Sequence, residues 1–178
     1  MSARDTYSPA LRVIHWATVL AVVAAVVLGF VQEDAGASRA IMLRAHVLIG
    51  MTIVLLTIAR LIVRRRSPVA ELPMQGWRRA MFRANHALLY VLLFALGASG
   101  MATSLVSGLG PALMSGGELP DLEGLVPAGI HAALGLALIA TIGMHVAGVV
   151  TYQLREGDTL GRMIGRRGAS LRARESES

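Results

Sequence analysis

The residues of this chain that could do chemistry are its five histidines, because imidazole carries protons and is the commonest metal ligand in proteins. The sequence contains no cysteine, which excludes thiolate-bound iron–sulfur clusters, a catalytic thiol and covalent attachment of c-type haem. Every histidine lies within or at the edge of a long apolar run, where an ionisable side chain is costly and therefore indicates function. The five are His15, His46, His86, His131 and His145.

Four apolar runs position these histidines. Of the 178 residues, 54% are hydrophobic and only 16% are charged, which is too apolar for a single water-soluble core. Each run is close to the roughly 20 residues that a helix needs to cross a bilayer. The sequence predicts an all-α integral membrane protein, a four-helix bundle in one domain over 1–154, followed by a basic tail over 155–178. The predicted helices cover 13–31, 41–63, 86–106 and 128–152.

Arginine placement predicts the orientation of the bundle. All 17 basic residues are arginine, and most lie before the first run, between the second and third, and after the fourth. The positive-inside rule then puts both termini in the cytoplasm. Because the membrane accounts for the placement of the arginines, the basic composition does not predict a nucleic-acid partner. The connection 107–127 carries acids and no base, and we expect a polar loop on the outside. The first run is predicted as a retained helix, since it exceeds the usual signal-peptide core and contains His15 and Trp16.

Alternating helix direction sorts the histidines into two depths. His46 and His131 form an outer level, and the other three form an inner level. His131 and His145 are 14 residues apart, about 40° short of four full turns, so both rings leave the same face of the fourth helix about 21 Å apart. One metal cannot use both of them, whereas two metals at two depths can.

Pairs of imidazoles without carboxylates or thiolates favour haem. Zinc requires four ligands, but haem brings four nitrogens of its own and needs only axial ligands. A six-coordinate b-type haem fits each level and suits electron transfer. Gly50, Gly135 and Gly148 follow histidines by about one turn and either make room for a macrocycle or serve ordinary helix packing. A transporter or scaffold without haem, with histidines bonded between helices, is the other interpretation.

Several motifs together resemble the bacterial cytochrome b561 family over nearly the whole chain. The same helical core is similar to the cytochrome b subunits of nickel–iron hydrogenases and formate dehydrogenases. The matching stretches are Tyr7-Ser8, Ile14-His15-Trp16, His46-x-x-x-Gly50, Arg60-Leu61-x-x-Arg64, His86-x-x-x-Tyr90, the His131 and His145 pair, and Asp158-Thr159-Leu160-x-Arg162-Met163.

The resemblance implies two haem b groups and assigns their ligands. His15 and His145 bind the inner haem iron, and His46 and His131 bind the outer one. His86 is then a spare imidazole, which contacts a quinone headgroup or a haem propionate, or anchors the third helix at the interface. Arg60 either pairs with the inner haem carboxylates or extends to the interface.

The resemblance also implies the function. It indicates a quinone-linked oxidoreductase of the bacterial inner membrane, with superoxide oxidised outside and ubiquinone reduced. The acids of the outer loop disfavour an anionic donor, so Arg39 and Arg44 would have to attract it. The alternative is a haem-bearing anchor subunit that passes electrons between a partner dehydrogenase or hydrogenase and quinone. No catalytic side chain is assigned, because the redox chemistry belongs to the cofactor. The expected partners are membrane lipid, quinone and a redox protein.

Overall fold

A computed structural model describes residues 7–32, 34–67, 76–155, 161 and 163. The predicted basic tail lies outside the described residues except for Arg155, Gly161 and Met163. A short 3-10 turn, Gly36–Ser38, precedes the second helix. The helices are α1 (Pro9–Val31), α2 (Arg39–Arg66), α3 (Gly76–Ser107), α4 (Leu109–Ser115) and α5 (Val126–Arg155).

Four of these helices, α1, α2, α3 and α5, are long and apolar enough to cross a membrane. The predicted all-α membrane fold with four spanning helices is therefore confirmed. Each helix extends beyond its apolar run, and the difference is largest in α3, which begins at Gly76 rather than near residue 86. Apolarity marks only the part of a helix in hydrocarbon, whereas residues 76–85 are helical but carry Arg78, Arg79 and Arg83.

The connection between α3 and α5 is not simply the polar loop that the sequence predicts, because it contains α4. Gly108 and Gly116 flank this two-turn helix, and both have a left-handed backbone (φ +70° and +73°) that favours glycine. Leu109 and Leu113 of α4 are buried against Leu43 of α2. The leucines of α4 therefore form an apolar stripe on one side of a short helix, which the average polarity of the connection does not reveal.

The spanning helices form an antiparallel bundle in which α1 packs on α2, α3 packs on α5, and α2 joins the two pairs through α3. At its centre is an apolar layer with one buried residue from each spanning helix. We call it the midlayer. Its members are Val22, Ile53, Leu92 and Leu138.

The midlayer lies between the two histidine levels. Leu138 is seven residues after His131 and seven before His145 on the same helix. Seven residues are about two turns, or roughly 10.5 Å along the axis, so the layer is equidistant from both levels. The same seven-residue offset joins Val22 to His15 on α1.

The outer faces of the spanning helices are apolar and exposed. Every spanning helix carries large apolar side chains that are more than half exposed, so the apolar surface extends around the whole bundle. Examples are Leu20, Leu55, Val91 and Leu136. Soluble proteins rarely expose apolar patches of this extent. Lipid contact accounts for this surface, and together with the spanning lengths it identifies a multi-pass membrane protein.

Buried threonines in the bundle satisfy their own hydroxyls. Thr18, Thr57, Thr103 and Thr141 each donate to the backbone carbonyl four residues earlier, at 2.7 to 2.9 Å. A hydroxyl bonded within its own helix requires no partner from a neighbouring helix. The bundle can therefore bury these side chains without a polar network between helices.

Gly97 of α3 packs tightly against Val54 of α2, and its substitution gives a direct check of this packing. A Cβ at residue 97 would lie 2.5 Å from Cγ2 of Val54, which is a short and stiff side chain. We expect Gly97→Ala to lower the free energy of unfolding by about 1–3 kcal/mol through overpacking. The measurement is thermal unfolding in detergent, followed by circular dichroism.

Gly143→Ala is the matched control, because nothing lies within 4 Å of its added Cβ. The double variant Gly97→Ala/Val54→Ala should recover part of the loss by removing the clashing methyl groups. Equal stability of Gly97→Ala and Gly143→Ala would contradict the α2–α3 packing described here.

Candidate cofactor site

The structure brings the two outer histidines together across the bundle. The ring centroids of His46 on α2 and His131 on α5 are 5.9 Å apart, with ring planes at 76°. Because imidazole nitrogens bind transition metals at about 2 Å, two rings on opposite sides of one metal have centres about 6 Å apart. The observed spacing matches that requirement.

Hydrogen bonds to neighbouring helices set the tautomer of both rings. Nδ1 of His46 is 2.9 Å from the carbonyl of Ala25 on α1, and Nδ1 of His131 is 3.1 Å from the carbonyl of Leu96 on α3. A carbonyl oxygen only accepts, so each Nδ1 carries the proton and donates it. Nε2 of each ring then keeps its lone pair, which is the arrangement found in metal-binding histidines.

Glycines give the two rings access to these carbonyls. An added Cβ at Gly29 would lie 3.4 Å from Cε1 of His46, and one at Gly100 would lie 3.2 Å from Cε1 of His131. Each glycine comes four residues after the accepting carbonyl, and in an α-helix the N–H of that residue lies one turn along from the carbonyl and points at it. The absence of a side chain at that position lets the imidazole reach the carbonyl from the side.

A large cleft surrounds the outer level. Its volume is about 1920 Å³, and its lining is mainly apolar and includes His46 and His131. Cofactor and ligand sites of roughly 300–1,000 Å³ are typical, so the cleft has room for a macrocycle. Gly50 and Gly135 also line it, and an added Cβ at either would meet nothing within 4 Å.

The outer cleft is covered by α4 and the segment that follows it. Leu113 and Met114 of α4 line the cleft, as do Asp121 and Glu123 beyond it. Arg44 donates from its guanidinium to the carbonyl of Leu113, near the end of α4. Arg44 therefore holds α4 over the cleft, a contact that the sequence did not indicate.

The inner level holds three histidines in a different arrangement. The ring of His86 on α3 contacts the ring of His145 on α5, with centroids 4.8 Å apart. Nδ1 of His86 donates to the carbonyl of Phe82 in its own helix, at 2.8 Å. The ring of His15 lies against Trp16, with centroids 5.5 Å apart. Thus the structure brings His86 to His145 and leaves His15 outside that ring contact.

The inner level also collects buried polar atoms that lack a hydrogen-bond partner among the described residues. Arg60 extends over the ring of Tyr90, with its guanidinium carbon 5.7 Å from the centroid. Asn85 donates to the carbonyl of Thr141 on α5, at 3.3 Å, but its Oδ1 accepts nothing. Such atoms call for a bound polar group. The unpartnered atoms are Arg12 Nε, His15 Nδ1, Arg60 Nε, Asn85 Oδ1 and Tyr90 Oη.

The donor set of the outer level fits haem, and the inner level has groups that suit its carboxylates. The outer level offers two imidazoles with free Nε2 lone pairs beside a cleft of sufficient size. The inner level offers imidazoles together with Arg12 and Arg60, whose unpartnered Nε atoms suit carboxylates such as haem propionates. The contacts of His131 could not be predicted from sequence. Leu96, Ser99 and Gly100 of α3 lie against its ring only because α3 packs on α5.

Comparison with known proteins gives an independent assignment. A family model described as prokaryotic cytochrome b561 matches residues 6–166. No match was found among the curated proteins. The matched region includes all five histidines and the four spanning helices. By this match the chain belongs to the prokaryotic cytochrome b561 family, whose members bind haem b and transfer electrons within the membrane.

Proposed function

We propose that this protein holds two haem b groups, one at each histidine level, and exchanges electrons with the quinone pool of the bacterial inner membrane. The carrying observation is the outer pair, His46 and His131, with both Nδ1 protons bound to backbone carbonyls and a cleft beside them. When bound, haem iron supplies one-electron redox chemistry, and the chain's residues hold and orient it.

The midlayer supports the assignment of four ligands. His15, His46, His131 and His145 each lie seven residues from a midlayer residue of their own helix, and seven residues return to within about 20° of the same face. His86 is six residues from Leu92, which places the two about 120° apart around α3. We therefore assign His15 and His145 to the inner haem, although the ring of His86 contacts His145.

The inner polar cluster is the proposed end for quinone. Nδ1 of His86 donates its proton to the carbonyl of Phe82, which leaves Nε2 for a headgroup oxygen. Asn85 Oδ1 and Tyr90 Oη have no hydrogen-bond partner in the described part of the chain. Arg60, at the same level, is assigned to the haem carboxylates. The arginine-rich loop and tail support a cytoplasmic location for this end and for both termini under this proposal.

The electron donor acts at the outer end under this proposal. Superoxide oxidation coupled to ubiquinone reduction is one candidate reaction. The lining of the cleft carries Asp121 and Glu123, both exposed, together with Arg39 and Arg44, so it has no net positive charge to attract an anion. That observation favours a second candidate, in which the protein is the haem-bearing anchor subunit of a dehydrogenase or hydrogenase and receives electrons from it.

Haem content tests the ligand assignment. Purified wild-type protein should bind two haems with a low-spin bis-histidine optical spectrum. His131→Ala and His46→Ala should each remove the outer haem, and His15→Ala and His145→Ala the inner one, because a single axial imidazole holds haem weakly. The measurement is the haem-to-protein ratio with redox titration of the remaining haem. Loss of the inner haem in His86→Ala but not in His15→Ala would disprove the inner pairing.

His86→Ala separates haem binding from quinone chemistry. We expect both haems to stay bound, while the rate of quinone reduction falls by about 10²-fold through loss of a proton-transferring group. The assay follows reoxidation of chemically reduced protein by a soluble quinone analogue. Reoxidation by an artificial acceptor that takes no proton is the control and should not change. An unaltered quinone rate would remove His86 from the proposed site.

Neutralising the cover of the cleft identifies the charge of the donor. Asp121→Asn/Glu123→Gln should raise the rate of haem reduction by superoxide about two- to fivefold at low ionic strength, because two negative charges leave the entrance. Glu118→Gln is the control, since Glu118 is exposed but does not line the cleft. If superoxide reduces neither form, and reduction needs an added partner enzyme, the anchor-subunit function is supported instead.

A further inference from the structure

His131 has two hydrogen-bond acceptors on α3, and one of them is a side chain. Its Nδ1 is 3.1 Å from the carbonyl of Leu96 and 3.0 Å from Oγ of Ser99. Oγ of Ser99 is in turn 3.1 Å from the Leu96 carbonyl. The three polar atoms therefore form a closed triangle, and Ser99 is 9% exposed.

The positions of the available protons determine which atom donates in each hydrogen bond. The Leu96 carbonyl can only accept, so the hydroxyl proton of Ser99 goes to it. A lone pair of the same hydroxyl oxygen then faces the Nδ1 proton of His131. The Nδ1 proton therefore lies between two acceptors, the Leu96 carbonyl and Oγ of Ser99. Because the Ser99 hydroxyl donates to Leu96, its oxygen is a stronger acceptor.

No side chain among the residues that the structure describes accepts from the other outer histidine. Nδ1 of His46 has one acceptor, the carbonyl of Ala25, and the residue that approaches its ring on α1 is Gly29. The two proposed axial ligands of the outer haem therefore differ in their surroundings. A backbone carbonyl cannot be changed by substitution, but a serine hydroxyl can, and this makes the effect accessible to experiment.

We propose that Ser99 is a positioning residue that orients His131 and increases its strength as a ligand, and thereby lowers the reduction potential of the outer haem. The inference rests on the proposed function, in which His131 binds that haem. A second acceptor draws the Nδ1 proton away from the ring and makes Nε2 more basic. A more basic ligand stabilises ferric iron more than ferrous iron, and the apolar surroundings screen this effect weakly.

Ser99→Ala tests the inference in the haem-loaded protein. Both haems should remain bound, and the outer one should be easier to reduce, with a three- to tenfold shift in its ferric–ferrous equilibrium. This corresponds to a rise of about 30–60 mV at 59 mV per tenfold. The inner haem should keep its potential. Redox titration measures both, and the component lost in His131→Ala identifies the outer haem.

Two further variants separate hydrogen bonding from packing. Ser99→Thr retains the hydroxyl and should restore the wild-type potential, whereas Ser99→Cys, a weaker acceptor of similar size, should shift it as alanine does. Ser99→Cys also serves if the alanine variant does not accumulate. Thr103→Ala is the matched control, because its buried hydroxyl lies one turn further along α3 and bonds the carbonyl of Ser99 rather than a histidine.

The outcomes distinguish the inference from the function on which it rests. Unchanged potentials in Ser99→Ala and Ser99→Cys, with both haems bound, would overturn the role of Ser99 and leave the haem assignment intact. An equal shift in Thr103→Ala would also overturn it. Wild-type protein without an outer haem would overturn the proposed function itself. A change in the low-spin ferric EPR signal of the outer haem alone would support the orienting role.

Discussion

The structure depends on the need of an imidazole in hydrocarbon to satisfy both of its ring nitrogens. Hydrocarbon offers no water to bind, so an N–H that finds no acceptor there costs about several kcal/mol, as other buried polar groups do. His46 and His131 bind their Nδ1 protons to carbonyls of neighbouring helices, at 2.9 and 3.1 Å. The lone pairs on Nε2 stay free, so helix packing leaves both rings able to act as the haem ligands that we propose.

This requirement explains the small residues at the helix contacts. Ala25 and Gly29 on α1, and Leu96 and Gly100 on α3, form the same pattern of an accepting carbonyl followed four residues later by glycine. A side chain at the glycine position would push the imidazole away from its acceptor. Thus α1 and α3, which carry neither outer histidine, determine how those histidines are held.

The midlayer adds a second constraint by separating the two histidine levels with close-packed apolar side chains. Leu138 lies midway between His131 and His145, and the seven-residue offset keeps both rings on the face of α5 that meets the bundle centre. The two levels differ in polarity. Both outer rings bond a backbone carbonyl through Nδ1, whereas among the described residues the Nδ1 of His15 at the inner level has no partner.

The sequence by itself determined the four spanning helices, the two histidine levels and the family resemblance, because hydropathy and helical periodicity are local properties. The 14-residue spacing of His131 and His145 places both rings on one helix face regardless of the neighbouring helices. Only the tertiary structure decided that Leu96 and Ser99 face His131, that α4 covers the outer cleft, and that His86 contacts His145. These contacts depend on which helices are neighbours and on how each is rotated about its axis, and no spacing within a single helix specifies either.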